Sequence, residues 1–481
     1  MKGFIRNFKP LEILTEEQIE AIHRGTLDVL ERTGLRIEHK RALKLLEGNG
    51  CYVDYDNNRV RFPPGLVEES LRKCPSSFRM KARNSKNDLV AGGNILIVTT
   101  FPGMQTVDLD TWEPRTATKQ EYYDGVTVLD ALDNLHYMSS YIPYFGWEGI
   151  PPVMCIPEGF AARARNSTKV LRTATSDDSE IFTINIAKAV GSDAMVAITP
   201  APPLTYYTNI VEAIYRGVEA DFPLSITNGD VMGGTAPATI AGSSLTANAE
   251  LIGGIVMAQL IKPGAKILVT NFVFPQNMRS GNPAFGAIES ALSNTVFCQY
   301  FRRLGVPTQV SSAGCVSSKR IDVQCGYEKA MLGILAAVCG ANVIYFVGGI
   351  FGELTFHPVQ AILDNDIAGM IGRFLQGVQV NEETLALDLI DEVGPIPGFY
   401  LGKEHTRTWW KKEQFMPKVA DRLSLPEWME SGKKSALDYA KEKMEEILAT
   451  HKPESLTPKQ EDDVERILEE ARQYYRGKGL M

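Results

Sequence analysis

Short apolar runs separated by amphipathic stretches set the rhythm of this chain from residue 95 onward. The runs fall at 95–100, 136–142, 170–174, 195–199, 224–228, 267–272, 308–312 and 343–347. Parallel strands joined by crossover helices produce this alternation, and eight such runs fit a (β/α)8 TIM barrel of the α/β class. The first run follows Gly92-Gly93 and precedes the turn-rich stretch Val107-Asp-Leu-Asp-Thr-Trp-Glu-Pro114. That context also suits a meander, in which case the eighth strand would fall past residue 377.

The step from 308 to 351 shows the pattern best. A strand end at 308–312 leads into a polar loop reaching Arg320, and Asp322 places a carboxylate at the positive end of a helix running to Val338. Cys339-Gly340-Ala341-Asn342 breaks that helix, and 343–347 is apolar enough for a strand buried on both faces. No charge occurs between residues 330 and 352, a span long enough to imitate a membrane helix. The break, with β-branched and aromatic residues after it, predicts helix, turn and core strand instead.

Residues 1–90 read as an α+β appendage. Thr15 and Gln18 form a capping box, and Ile19, Ile22, Leu27 and Leu30 keep helical spacing up to Gly34. A short helix at 41–46, two strands at 51–53 and 59–62, and a helix opened by Pro63-Pro64 follow. Residues 91–412 form the barrel, and 413–481 a charged helical extension. Its last helix opens at Thr457-Pro458, with Val464, Ile467, Leu468, Ala471 and Tyr475 as the apolar stripe, to dock on the barrel or on a neighbouring subunit.

Composition narrows the function classes. A chain of 481 residues, 44% hydrophobic, supports a large core. A net charge of −8 with no basic tract argues against a nucleic-acid partner. Seven scattered cysteines suit a reducing, cytoplasmic setting, and the charged amino end is no signal peptide. Neither the cysteines nor the six histidines form CxxC, HxH or HExxH, so no metal site, zinc included, is expected. The glycines around Gly229 and Gly233 do not follow dinucleotide-binding spacing.

Loops after barrel strands carry the chemistry in this fold. Here they are rich in aromatics: Tyr141, Tyr144, Phe145 and Trp147; Tyr206 and Tyr207; Phe272 and Phe274; Phe351 and Phe356. Packing of the barrel mouth accounts for any one of them, whereas the set suits a cage holding a quaternary ammonium by cation–π attraction. Arg279, Lys319 and Arg320 lie near the same rim, where a guanidinium suits a carboxylate. Glu289, Glu353 and Asp322 are the nearby carboxylates, and His357 and His405 the nearby histidines; Asp322 also reads simply as a helix-start residue.

The segment SSKRIDVQCGYEKAMLGILAAVCGANVIY (317–345) closely resembles the matching part of the trimethylamine methyltransferase family. So do MGGTAPATIAGSSLTANAELIGGIVMAQLIKPGAKI (232–267), MRSGNPAFGAIESAL (278–292) and GFYLGKEHTRTWWKKEQFMPKVADR (398–422), and the likeness spans nearly the whole chain. The trimethylamine enzymes keep pyrrolysine in the loop near Arg320, where this chain has Ser317-Ser318-Lys319-Arg320-Ile321. The resemblance therefore implies a member without pyrrolysine. Its implied substrate is a small quaternary amine, glycine betaine ahead of proline betaine, carnitine or γ-butyrobetaine. Its implied methyl acceptor is Co(I) of a corrinoid (cobalamin) carried by a cognate corrinoid protein.

On that basis Arg320, Glu353 and Glu289 are the expected catalytic residues. Tyr144, Phe145, Trp147, Tyr206, Phe272, Phe351, His357 and Arg279 are expected to bind substrate, and the enzyme to be a homo-oligomer. Two other classes fit the residues: a Schiff-base lyase using Lys319, and a quaternary-amine binding protein without turnover.

Overall fold

The computed structural model describes residues 2–101, 103–139 and 149–481. Eight parallel strands close into a barrel, and each is followed by a helix. They are β1 (Ile95–Thr100), α1 (Lys119–Ala131), β2 (Tyr137–Met138), α2 (Cys155–Asn166), β3 (Val170–Thr173), α3 (Ser179–Ala189), β4 (Ala194–Ile198) and α4 (Thr208–Glu219). The second half comprises β5 (Leu224–Thr227), α5 (Ile240–Ile261), β6 (Ile267–Asn271), α6 (Ile288–Arg303), β7 (Thr308–Val310), α7 (Val323–Val338), β8 (Val343–Val347) and α8 (Pro358–Leu375). β8 pairs with β1, matching Val343 to Ile97 and Ile344 to Val98, which closes the ring. The run at 95–100 is thus a barrel strand, so no eighth strand lies past residue 377. The stretch after it is a small hairpin, Thr106–Val107 against Pro114–Arg115.

Strand residues two apart share a face, so the barrel interior is built in layers. Ile97, Tyr137, Val170, Met195, Leu268 and Val343 pack together at the floor. The hairpin Ser77–Met80/Leu89–Gly92 adds Phe78, Met80, Leu89 and Ala91 to that cluster and plugs the floor. The next inward positions are largely polar: Thr99, Arg172, Ser225, Thr270, Gln309 and Tyr345, all buried. The barrel therefore ends its apolar filling low and leaves chemistry to its upper half.

The residues before 90 pack closely on the barrel. Phe4–Ile5 pairs antiparallel with the start of β1, and Leu35–Ile37 pairs in parallel with Thr205–Tyr206. The first helix (Glu16–Asp28) and the helix Pro64–Arg72 pack on α5, and their apolar residues join those of the barrel helices in one cluster. This explains α5, which is apolar on all sides and long enough by composition to cross a membrane, with 72% of its most apolar window buried. Its two faces meet barrel and amino-terminal layer. Gly253 is needed where they touch, because a Cβ there would overlap Leu35.

The carboxy-terminal helices dock on the opposite side. The carboxylate of Asp366 in α8 accepts the backbone amides of Lys418 (2.8 Å) and Val419 (2.8 Å), pinning the chain as it leaves the barrel. The last helix, Pro458–Gly477, buries Val464, Ile467, Leu468, Ala471 and Tyr475, as its stripe predicts, with Phe182 of α3 meeting Tyr474 and Tyr475.

If amino-terminal layer and barrel share one core, Leu35→Ala should lower the stability of the whole protein. Truncating a fully buried leucine costs about 2–5 kcal/mol. Urea unfolding should show one transition at lower midpoint, and a separate early transition would mark the layer as an independent domain.

Candidate active site

At the barrel mouth the strand ends enclose a cavity of about 340 Å³. Arg172 and Thr175 line it from the β3 side, Thr227 from β5, Phe272 from beyond β6, Ser311 from beyond β7 and Tyr345 from β8, with Met104 and Glu353 contributed by loops. The backbone around it is firmly held. Asn271 donates to Asn294 in α6 (2.8 Å), Asn294 donates to Ser312 (2.7 Å), and Asn228 accepts the amide of Phe272 (2.7 Å). This chain of amides joins the upper ends of β5, β6 and β7 and fixes where the Phe272 ring stands. Phe274 meets Phe272 edge-on at 4.8 Å and Phe285 at 5.0 Å, which backs the cavity wall.

Arg172 occupies the inward position just above Val170. It is 8% exposed, and its guanidinium carbon lies 5.5 Å from the centroid of the Tyr345 ring. Its Nε has no hydrogen-bond partner, and it forms no ion pair among the described residues. The hydroxyls of Tyr137, Tyr345 and Ser311 and both amide atoms of Gln309 are likewise buried and unpartnered. Buried polar groups are nearly always satisfied in folded proteins, so a concentration of exceptions marks a place built for a polar guest. The β2–β3 framework is tied by Arg163, whose Nη1 donates to the carbonyls of Ser139 (2.9 Å) and Arg172 (3.0 Å).

Glu353 stands at the rim, on the loop between β8 and α8. Burial raises its carboxyl above the ordinary carboxylate range. The turn that launches this loop is anchored by a fully buried ion pair: Lys329 Nζ lies 2.9 Å from Asp364 and also donates to the carbonyl of Phe346 (2.9 Å). Asp364 in turn accepts the amide of Gly348 (2.7 Å). Gly348 has φ +93° and faces the Phe356 ring closely enough that a Cβ would overlap it. The loop then folds back as Gly349–Ile350 against Thr355–Phe356, presenting Glu353 between them.

Two of the expected site residues, Phe272 and Glu353, line this cavity. Tyr144, Phe145 and Trp147, with Tyr141, lie outside the described residues. The others are placed elsewhere. Tyr206 is fully buried beside the amino-terminal layer, its hydroxyl donating to the carbonyl of Glu250 (2.7 Å). Phe351 is half-buried at φ 44°, with the Lys319 amine 4.6 Å from its ring centroid, so its cation is the protein's own. His357 caps α8, its Nδ1 accepting the amide of Val359 (3.1 Å), and burial lowers its pKa to about 4. Arg320 is exposed and pairs with Asp322 at 3.3 Å. Arg279 is exposed on the loop after β6, and Glu289 on the first turn of α6.

Asp322 does start α7, accepting the amide of Cys325 (3.0 Å). His405 is half-buried, hydrogen-bonded to the carbonyl of Glu383 and stacked on Trp409. Lys319 is exposed and donates to the carbonyl of Ser317 (2.7 Å), a setting without the enclosed pocket that Schiff-base chemistry requires. Arg172, missed from the sequence, had one signal. In Val170-Leu-Arg-Thr the arginine falls in the inward register of a strand too apolar to face water.

A family described as trimethylamine methyltransferase (MTTB) has a model that matches residues 1–143 and 177–473. The chain belongs to this family. It is 30% identical over 472 residues to the trimethylamine methyltransferase MttB of Desulfitobacterium hafniense, covering 96% of this chain and 94% of that one. It is also 30% identical over 460 residues to a glycine betaine methyltransferase of Desulfitobacterium hafniense, covering 93% and 94%. The Methanosarcina barkeri monomethylamine methyltransferase (MtmB) shares the fold at TM-score 0.52 and 11% identity, covering 96% of this chain and 93% of that one. Within this methyltransferase family, the model leaves residues 144–176 unmatched, and that segment contains Arg172.

Behind the rim, Asp230 and Glu250 are both fully buried, and among the described residues neither forms an ion pair. Burial raises Asp230 to about 7. Burial, and then the charge of Asp230, raise Glu250 to about 8. A carboxyl raised in the folded state holds its proton where the unfolded chain has released it, so its contribution is full below the ordinary carboxylate range and is lost as pH rises from that range through about 7 to about 8. Asp230→Asn should therefore gain melting temperature relative to the wild type as pH rises through that window. A constant or shrinking difference would show that the pair does not share this strain.

Proposed function

We propose that this methyltransferase moves a methyl group from a small quaternary amine, glycine betaine first, to Co(I) of a corrinoid carried by a separate protein. The observation that carries the reading is the mouth cavity, where a rim carboxylate, Glu353, and aromatic faces, Phe272 and Tyr345, surround one small space. A quaternary ammonium has no N–H to donate, so a carboxylate and ring faces are the groups able to hold it. The family assignment supports methyl transfer, and the relative named for glycine betaine supports this amine. Standard residues where pyrrolysine is expected favour a substrate carrying its own permanent charge.

In the step proposed, the methyl carbon–nitrogen bond breaks as the carbon–cobalt bond forms. The nitrogen keeps the bond's electron pair and leaves as neutral dimethylglycine amine, while cobalt passes from Co(I) to methyl-Co(III). Positive charge on nitrogen vanishes along the reaction, so Glu353 and the rings hold substrate more strongly than product. They contribute binding and alignment, and acceleration comes from in-line placement in a cavity that excludes water.

Exposed apolar residues at the mouth end of α6 and α7 support docking of the carrier there: Ile288, Leu292, Val323, Tyr327 and Met331. A second exposed apolar run, including Val378, Leu387, Ile396, Phe399 and Leu401, follows α8 toward the floor and supports a homo-oligomer. The seven free cysteines support residence in the cytoplasm.

With free cob(I)alamin as acceptor, glycine betaine should give methylcobalamin and dimethylglycine, to be compared with proline betaine, carnitine, γ-butyrobetaine and trimethylamine. No methyl transfer from any of them would refute the reading. Glu353→Gln should raise KM for glycine betaine about tenfold, the equivalent of ~1.4 kcal/mol of charge attraction. Because the cation binds the ionised carboxyl, KM in the wild type should rise as pH falls through the raised Glu353 pKa. A pH-independent KM would remove Glu353 from the cation site.

A further inference from the structure

We propose that Arg172 is the carboxylate anchor of this site, and that it seats a zwitterionic substrate with its carboxylate toward the barrel floor and its methylammonium toward the mouth. The inference rests on the reading that a quaternary amine is demethylated here, and it specifies which kind and in what pose.

The first support is the state of Arg172 itself. Arg172 is 8% exposed and its Nε is buried without a hydrogen-bond partner, and among the described residues no carboxylate pairs with it. Removing one member of a buried ion pair is strongly destabilising, because it leaves the other charge uncompensated. A protein that keeps such a charge at the wall of a cavity gains only when a ligand completes the pair. The Tyr345 ring face offers partial compensation but no acceptor directed at Nε.

The second support is the company Arg172 keeps. Gln309 and Tyr345 share its inward layer, with Ser311 one step higher and Tyr137 in the floor layer below, and each holds a buried polar atom without a partner. A carboxylate brings two acceptor oxygens with about four lone-pair directions. It matches a guanidinium fork bidentately and leaves capacity for neighbouring hydroxyl and amide donors. An alcohol or a methyl group at that depth would leave the guanidinium unpaired.

The third support is vertical order. Val170 belongs to the floor cluster, and Arg172 stands one inward step above it. Glu353 lies beyond the end of β8, at the rim. The two are not each other's partner, since burial alone shifts Glu353 and no guanidinium contributes. The cavity is thus positive in depth and negative at the rim. A betaine fits that gradient in one direction only, and that direction turns an N-methyl carbon toward the opening, where an acceptor borne by another protein can reach it.

The test is ligand binding by calorimetry to the full-length protein without acceptor, using glycine betaine and choline, for the wild type, Arg172→Gln and Arg172→Lys. The wild type should bind glycine betaine well and choline poorly. Arg172→Gln should weaken glycine betaine by roughly 10- to 100-fold, as expected for loss of a charge-assisted bidentate contact, and change choline by less than about threefold. Arg172→Lys, which keeps the charge and loses the fork, should fall between. Melting curves establish that each variant is folded, and Arg172→Lys carries the test if Arg172→Gln is not. Wild-type protein that binds glycine betaine no better than choline would overturn the proposal. So would a folded variant that loses both ligands equally, or neither. Because binding is measured without acceptor, intact binding here together with no methyl transfer to cob(I)alamin in the separate assay would count against the reaction and leave the anchor standing.

Discussion

A charged guanidinium enclosed by a ring of parallel strands, with no carboxylate paired to it among the described residues, is the constraint on which the upper barrel depends. Arg172 is desolvated by the strands that flank it, and desolvation of an unpaired charge is costly. That cost is sustained only because the surroundings cannot relax. The floor beneath is sealed by the hairpin Ser77–Met80/Leu89–Gly92, Arg163 ties the carbonyls of β2 and β3, and the Lys329–Asp364 pair fixes the turn after β8. With the floor and the described walls held in this way, the mouth is the side on which a compensating anion can arrive.

The same rigidity sets the second pole of the site. Gly348, bonded to Asp364 and pressed against Phe356, directs the β8–α8 loop so that Glu353 faces the cavity from the rim. A carboxylate above and a guanidinium below form a field matched to a molecule carrying both charges. On the proposed pose, loss of the methyl group removes the ammonium charge and the rim attraction with it, while the carboxylate stays on Arg172. Product is therefore held by one end only, which favours its exchange for fresh substrate. Trimethylamine has no carboxylate and gains nothing from Arg172, in keeping with the standard residues found where the pyrrolysine enzymes keep their special side chain.

Much of the architecture was legible in the sequence because strands buried on both faces are apolar without interruption. The eight runs from 95 to 347 all became barrel strands, and the capping signals at Thr15 and Thr457 became helix starts. The unity of amino-terminal layer and barrel was not legible. The explanation of α5's all-round apolarity lies in its two partners, and pairing of Leu35–Ile37 with Thr205–Tyr206 leaves no local mark. At the candidate site, Phe272 and Glu353 line the cavity because they follow strand ends closely. Arg279 and Arg320 sit on longer loops that carry them out to solvent, and Tyr206 turns inward to bond Glu250. Arg172 was overlooked because it lies inside a strand rather than after one, where side-chain alternation and not loop position decides its direction.

The account stands most directly on the pose of the bound substrate. A crystal structure of the protein with glycine betaine should show the carboxylate in bidentate contact with Arg172 and the trimethylammonium group between Glu353, Phe272 and Tyr345, with one N-methyl carbon facing the mouth. A betaine bound the other way round, or seated at Arg320 or Arg279 with Arg172 untouched, would contradict it.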